Sequence, residues 1–377
     1  MRGRRLKVLY LLDYLSAGGG AERFTLGLAI HVPRDRIDAS VCFTRKADPQ
    51  PLADLRAAGI PYCGLGRRKR WDIHRIGGLM PYLLSERFDV IHTHMFGSNL
   101  WGTTIGAACR VPVRIAHEHT WSYEGDPVRM WLDGHVIGRF ATRFIAVSEA
   151  DARRMVQIEG VPADKVIVMP TAYVPRNGAA PAAVTDIRTE LGIPADAPLI
   201  ATAAIMRPQK ALEVMIEALA LLLKRVPDAH LVIAGDGPER PMLEKYTLGL
   251  GLGDRVHLLG VRQDVDAILK EADVAALSSD FEGMPLFTFE SAASGTPLVA
   301  TEVGALPDLV EDGHSGLLVP PRDPEALAQG MATLLMDPDR RERLAVAAAE
   351  RLEQYTIDRV AVEFADLYER LRAEVRP

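Results

Sequence analysis

The sequence predicts an α/β protein built from two doubly wound, Rossmann-like domains. Three observations lead there. The chain has 377 residues, more than one hydrophobic core usually supports, since single cores stop growing at ~250–300 residues. Short apolar runs alternate with amphipathic stretches, the rhythm of βαβ units around a parallel sheet. The rhythm breaks once, over residues 170–184, a stretch rich in Pro, Gly and Ala with no periodicity, and then restarts. Such a break reads as an interdomain linker. The expected domains are residues 1–170 and 186–354, followed by a last helix over 355–377.

In the first half, strands are expected at 7–12, 39–43, 62–65, 90–92, 113–116 and 144–147. Helical patterns fall between them at 21–31, 73–85, 99–109 and 128–141. In the second half, strands are expected at 199–204, 230–234, 256–259, 274–277, 298–300 and 316–319. A long amphipathic helix covers 211–224. The last helix, 357–371, places Val360, Phe364, Leu367 and Leu371 at helical spacing. Sheets of this kind bind ligands at the carboxyl ends of their strands, so facing sheets would put a site in the cleft.

Composition excludes several classes. The hydrophobic share is 48% and the charged share 25%, ordinary for a soluble globular protein. No apolar run approaches the ~18 residues of a membrane span. The basic, then apolar start from Met1 to Leu12 meets Asp13 with no small-residue cleavage pattern, and reads as a first buried strand rather than a signal peptide. Cys42, Cys63 and Cys109 are scattered and odd in number, which fits a reducing cytosol. A net charge of −6 argues against general nucleic-acid binding.

The most informative stretch runs from Phe281 to Ala300. Glu282 and Glu290 stand eight positions apart. On a helix that spacing is a little over two turns and places both on nearly one face. Gly283 and Pro285 read as a loop entering the helix, with Pro285 in its first turn. The N–H groups of Met284, Leu286 and Phe287 are then available to an anion. An anion cradle beside two carboxylates suits a phosphorylated sugar or a nucleotide. A capped helix with two solvated acids is the plainer alternative.

Other motifs fall at strand ends. Arg207-Pro-Gln-Lys210 follows a buried strand and precedes a helix, a position where cations neutralise a diphosphate. This cation pair leads to the expectation that no metal and no cofactor is needed. Gly235-Asp-Gly-Pro-Glu-Arg240 fails as a dinucleotide fingerprint at Arg240. Gly18, Gly19 and Gly20 open a helix after the first strand and permit close approach of an anion, or form a plain tight turn. His92, His94, His117 and His119 close two buried strands. Alternation puts His117 and His119 on one face, with Glu118 on the other. No carboxylate or cysteine at ligand spacing argues for metal there. Arg67, Arg68, Lys69 and Arg70 form a basic run. It reads either as solvated surface or as contact with an anionic membrane or acceptor.

Motif for motif, most of the chain resembles the retaining glycosyltransferases of the GT-B fold, family 4, which implies that the two domains face each other across a cleft and that the last helix, 355–377, crosses back onto the first. The stretch from Glu282 to Glu290 resembles their E-x7-E signature, and the likeness continues through 297–308 and 313–321. The resemblance implies that Glu282 contacts the transferred sugar and that Glu290 holds the ribose. It implies that Lys210 is the diphosphate lysine of the family's Gly-Arg-Leu-x-x-x-Lys-Gly motif. There the chain departs: the arginine position is Ile205, and Ala204 and Ala211 replace the two glycines. Arg207 is the nearest substitute. The resemblance further implies that Gly19 and Gly20 belong to a loop over the donor phosphate. A histidine, His119 in preference to His117, would lie beside the sugar, with His94 a further candidate. Backbone near Val261 and Arg262 would meet the base.

The function implied is transfer of a sugar from a nucleoside-diphosphate sugar, a substrate rather than a cofactor, to a carbohydrate or lipid-linked acceptor. The setting implied is cytoplasmic, at most peripheral to the inner membrane face. A GT-B sugar-nucleotide epimerase and a non-catalytic partner subunit are the alternatives.

Overall fold

The computed structural model describes residues 4–16, 18–68, 72–119, 126–175 and 186–375. The chain divides into two compact units. One comprises Met1–Val174 with Gln354–Pro377, the other Pro175–Glu353.

The first unit holds strands β1 (Leu6–Leu12), β2 (Ile37–Phe43), β3 (Tyr62–Gly64), β4 (Val90–His94), β5 (Val113–His117), β6 (Arg143–Ala146) and β7 (Val166–Val168). They form one parallel sheet in the order β3-β2-β1-β4-β5-β6-β7. The order reverses between β1 and β4, which makes their carboxyl ends the switch point where such sheets bind ligands. β1 is buried from Val8 onward, as a central strand covered on both faces must be.

Val8, Tyr10 and Leu12 pack with Phe24 and Leu28 of the Gly20–His31 helix and with Val360, Phe364, Tyr368 and Leu371 of the Ile357–Glu374 helix. The last helix is thus part of the first unit's core. Arg36 pins it from the surface through Asp366 and Glu369. Residues leading out of β7 also stay with this unit. Ala172 and Val174 join the same core, and Tyr173 N–H donates to the Tyr355 carbonyl. Residues 176–184 of the expected linker lie outside the described residues.

The second unit holds β8 (Leu199–Ala203), β9 (His230–Ala234), β10 (Val256–Gly260), β11 (Val274–Leu277), β12 (Leu298–Thr301) and β13 (Leu317–Val319). Their order is β10-β9-β8-β11-β12-β13, all parallel. Here the switch point lies between β8 and β11.

Several helices depart from the expected spans. The 73–85 pattern is two helices, Ile73–Ile76 and Leu79–Glu86, parted at Gly77 and Gly78, the poorest helix formers short of proline. The 128–141 pattern is broken by a π-helical turn, Asp133–Ile137. Three Asp-Pro pairs start helices, those at Asp323 and Asp337 among them falling outside the expected spans. Asp126, Asp323 and Asp337 each accept a first-turn N–H while the following proline occupies the first helical position. Among the described residues no helix is long and apolar enough to cross a membrane.

Candidate functional site

The second unit's switch point gathers most of the expected donor residues. β8 leaves the sheet at Ala203 and β11 at Leu277, so the segments 204–211 and 278–285 emerge side by side. They are tied together. Asp280 N–H donates to the Gln209 carbonyl at 2.8 Å, and Ser278 Oγ to the Lys210 carbonyl at 2.9 Å. This scaffold sets Lys210 Nζ 2.5 Å from Glu282 Oε1. Ser279 Oγ donates to the same oxygen at 2.6 Å. Glu282 is buried, and Lys210 retains 19% of its side-chain exposure.

Glycines keep the backbone close at this point. A Cβ on Gly304, where φ is +57°, would lie 1.9 Å from the Glu282 carbonyl oxygen. A Cβ on Gly235 would lie 1.9 Å from the Ala204 oxygen, and one on Gly237 2.4 Å from the Met206 oxygen. The Gly-Asp-Gly-Pro turn therefore shapes the 204–206 segment, and Met206 N–H bonds the Asp236 carbonyl at 3.0 Å.

Glu282 does not share a helix with Glu290. The helix is Leu286–Ser294 with Pro285 as its N-cap, so the first acid stands in the preceding loop and only the second is helical. The spacing spans a loop and a turn because Gly283 and the extended Pro285 (φ −71°, ψ 120°) hold the chain out of the helix. Glu290 is buried. The first-turn N–H groups of Leu286 and Phe287 have no carbonyl four residues back within the helix.

Ile205 and Arg207 both face outward around the fully buried Met206. The Arg207 side chain makes no hydrogen bond or ion pair among the described residues, which leaves its guanidinium available, while its carbonyl accepts from Lys210 N–H at 2.9 Å. Ala211 is buried with φ +44° and ψ +44°, a left-handed conformation that disfavours any Cβ. Val261 is exposed. The Arg262 side chain is spent on Glu190 and Asp264, so only its backbone remains for a ligand.

Two Asp-x-Asp triplets, Asp264-Val-Asp266 and Asp337-Pro-Asp339, occur in this unit, a point that the metal-free expectation overlooks. Asp264 pairs with Arg262 and Asp337 caps a helix through Arg340 N–H.

In the first unit, the switch point carries a stack of imidazoles. His94 lies opposite His117 in the β4–β5 register. His117 and His119 stack at 4.1 Å, and His92 and His117 lie within 3° of parallel. Phe24 closes the stack edge-on against His117 and His119. Nitrogens are linked in pairs: His92 Nε2 with His117 Nδ1 at 3.1 Å, and His94 Nδ1 with His119 Nε2 at 2.9 Å. His92 Nδ1 meets the Tyr368 hydroxyl at 2.7 Å. Burial pushes all four imidazoles below their ordinary range, His119 to about 3, so they are neutral at pH 7.

Nitrogens of His92, His94 and His117 lie within 4.8 Å of one another. Each of these three rings is hydrogen-bonded through a nitrogen, while among the described residues the buried His94 Nε2 and His117 Nε2 have no partner.

Asn99, which sequence reasoning missed, ties the strand ends together. Its Nδ2 donates to Glu118 Oε1 at 2.8 Å, and its Oδ1 accepts from Thr93 Oγ1 at 2.7 Å. Gly19 is the N-cap of the first helix and Gly20 its first residue. The Glu22 carboxylate folds over them, since a Cβ on Gly19 would lie 2.0 Å from its Oε2. Arg67 corrects the basic-run expectation. It is buried, lies 3.8 Å from Asp13 and donates its N–H to the Thr44 carbonyl. Arg68 is exposed; Lys69 and Arg70 lie outside the described residues.

Two doubly wound parallel sheets, each with polar side chains gathered at its switch point, place the chain among the ligand-binding α/β folds, and comparison with known proteins narrows the class. Residues 184–351 match the family "Glycosyl transferases group 1" and residues 18–175 match "Glycosyltransferase Family 4". The chain is 32% identical to a D-inositol 3-phosphate glycosyltransferase of Nocardia farcinica, over 89% of this chain and 77% of that one. It is also 32% identical to an alpha-D-kanosaminyltransferase of Streptomyces kanamyceticus, over 64% of each. Among solved structures, Anabaena HepE with UDP-glucose superposes with a TM-score of 0.83 at 22% identity, covering 97% of this chain and all of the other. WaaG, a glycosyltransferase of lipopolysaccharide biosynthesis, gives 0.73 at 16%, covering 96% and 99%. The chain belongs to the group 1 glycosyltransferases and has the GT-B fold.

Proposed function

We propose that this glycosyltransferase is a retaining enzyme whose second unit holds a nucleoside-diphosphate sugar at the β8–β11 switch point. The observation that carries the reading is the Lys210–Glu282 pair at 2.5 Å, held on two segments that emerge from neighbouring strands. A cation and a hydroxyl-accepting carboxylate so placed match the two ends of the bond to be broken. Lys210, the unengaged Arg207 and the first-turn N–H groups at Leu286 and Phe287 neutralise the departing diphosphate. Glu282 accepts from hydroxyls of the transferred sugar. Glu290, buried on the helix, accepts from the ribose, while the backbone at Val261 and Arg262 lies against the base.

The acceptor hydroxyl attacks on the face from which the diphosphate leaves, so its proton passes to a departing phosphate oxygen and configuration is kept. Lys210 and Arg207 supply the positive charge that a metal would otherwise bring, and no cofactor is required. In the first unit, His94 fixes the orientation of His119 at the switch point, and burial keeps it neutral. UDP is the first donor nucleotide to test, because HepE is solved with UDP-glucose. Inositol phosphate belongs in the acceptor panel, because the Nocardia relative is named for it.

Proton NMR of reactions with UDP-, GDP- and ADP-sugars tests the proposal. Release of the nucleoside diphosphate with a product of the donor's anomeric configuration is expected. A product of inverted configuration would overturn it.

A further inference from the structure

A second concave site lies at the opposite edge of the first unit's sheet. A pocket of about 520 Å³ opens where the chain enters β5, β6 and β7, at the amino ends of those strands. Arg110, Arg114, Arg139 and Lys165 line it together with Thr142, and no carboxylate lines it among the described residues. That is a local excess of cations in a chain whose net charge is −6.

Backbone carbonyls hold two of these cations in place. Lys165 Nζ donates to the carbonyls of Gly138, Arg139 and Ala141 at 2.7–3.0 Å. Arg114 donates to those of Phe140 and Val111 at 2.7 and 2.6 Å. Carbonyl dipoles fix these groups but do not cancel their charge. Burial and the nearby Arg114, Arg143 and Arg139 push the Lys165 ammonium below its ordinary range, against the one acid acting on it, Asp164. Arg143 is answered by Glu374 at 2.8 Å. Arg110 and Arg139 are exposed, and their side chains have no ion partner among the described residues.

Fixed cations at the back of a pocket and free guanidiniums at its rim make a polyanion receptor. Guanidinium forks match phosphate oxygens two at a time, and a concave wall concentrates the field. The volume is that of a small-ligand site. We propose that this pocket binds a compound carrying several phosphate charges, either a soluble polyphosphate or clustered phospholipid headgroups. It is distinct from the β8–β11 donor site, which belongs to the other unit.

Calorimetry with inorganic tripolyphosphate on three proteins tests this: the intact chain, the Arg110→Glu/Arg139→Glu variant and Lys210→Ala. Both arginines are exposed, so the double variant is expected to fold, as circular dichroism will show. A parallel arm uses flotation with phosphatidylcholine vesicles with and without phosphatidylglycerol. At least a tenfold rise in Kd in the double variant alone supports the pocket with a soluble ligand. Capture only by the anionic vesicles, lost in the double variant, supports it with a lipid source. Binding lost in Lys210→Ala but kept in the double variant would assign the phosphate to the donor site and overturn the proposal. Absence of binding in both arms would overturn it as well.

Discussion

Lys210→Ala separates the structural from the chemical role of the 2.5 Å pair. Removing the lysine leaves Glu282, only 5% exposed at its side chain, with the Ser279 hydroxyl as its remaining hydrogen-bond donor in the pair's immediate network. A hydrogen bond to a charged group contributes ~1.5–3 kcal/mol. Lys210 is partly open to water, so ~2 kcal/mol is the expected loss. For a unit of this size that corresponds to a fall of ~4–8 °C in its melting temperature. Glu282→Gln in the same background removes the stranded charge and should restore most of that loss. Transfer should respond differently. Losing one preorganised stabiliser of developing charge costs ~10²–10³ in kcat, and neutralising Glu282 cannot replace a cation at the diphosphate. Melting curves and initial rates on the single and double variants give the answer. A folded Lys210→Ala protein with near wild-type kcat, or a double variant that regains rate along with stability, would refute the reasoning.

Three further outcomes are expected. Ala211→Gly should raise the melting temperature by a few degrees, because relieving a left-handed alanine at φ +44° returns ~1 kcal/mol; an unchanged or lower value in a thermal melt counts against strain there. The first unit should lose stability as pH falls from 6 to 5. Burial holds four imidazoles below the unfolded value of about 6.5, so the unfolded chain gains four protons that the folded one refuses. Burial also lifts Glu118 well above its ordinary range and Glu159 to about 7, so the folded state keeps two protons that the unfolded one lacks. The surplus of two on the unfolded side is worth up to ~2.7 kcal/mol per pH unit. Hydrogen exchange of β4 and β5 amides reads it, and flat or rising protection would contradict it. Finally, sugar transfer should persist in EDTA; loss restored only by magnesium or manganese would show that Arg207 and Lys210 do not suffice.

The fold was legible because both sheets announce themselves through repeated apolar runs, and the break near 170–184 separates them. β7 was not, since Val166–Val168 is a three-residue edge strand with no residue fully buried. The helices after Asp323 and Asp337 were missed because their start signal is a cap and a proline rather than an apolar stripe. Within the candidate site, Glu282 and Glu290 were singled out by their spacing and Lys210 by its place after a buried strand, but the single helix offered for that spacing was wrong: Glu282 precedes the helix. The imidazole stack depends on Tyr368, more than 270 residues away along the chain from His92, and no local pattern announces such a contact. Arg67 looked like one of four surface cations, yet it is buried and turned toward Asp13, because charge runs carry no information about which member points inward. The replacement of glycine by Ala211 was visible in sequence; its cost became visible only with its φ.

The central claim is that the two acids divide the donor between them, Glu290 on the ribose and Glu282 on the sugar. Calorimetry with bare UDP and GDP on Glu290→Ala and Glu282→Ala tests it most directly. Each acid is buried, and a donor hydroxyl left without its acceptor costs ~1–3 kcal/mol. Glu290→Ala should therefore weaken nucleotide binding ~5- to 150-fold. Glu282→Ala should bind the nucleotide almost as the intact protein does and yet fail to transfer sugar. Equal weakening by both substitutions, or greater weakening by Glu282→Ala, would contradict the assignment.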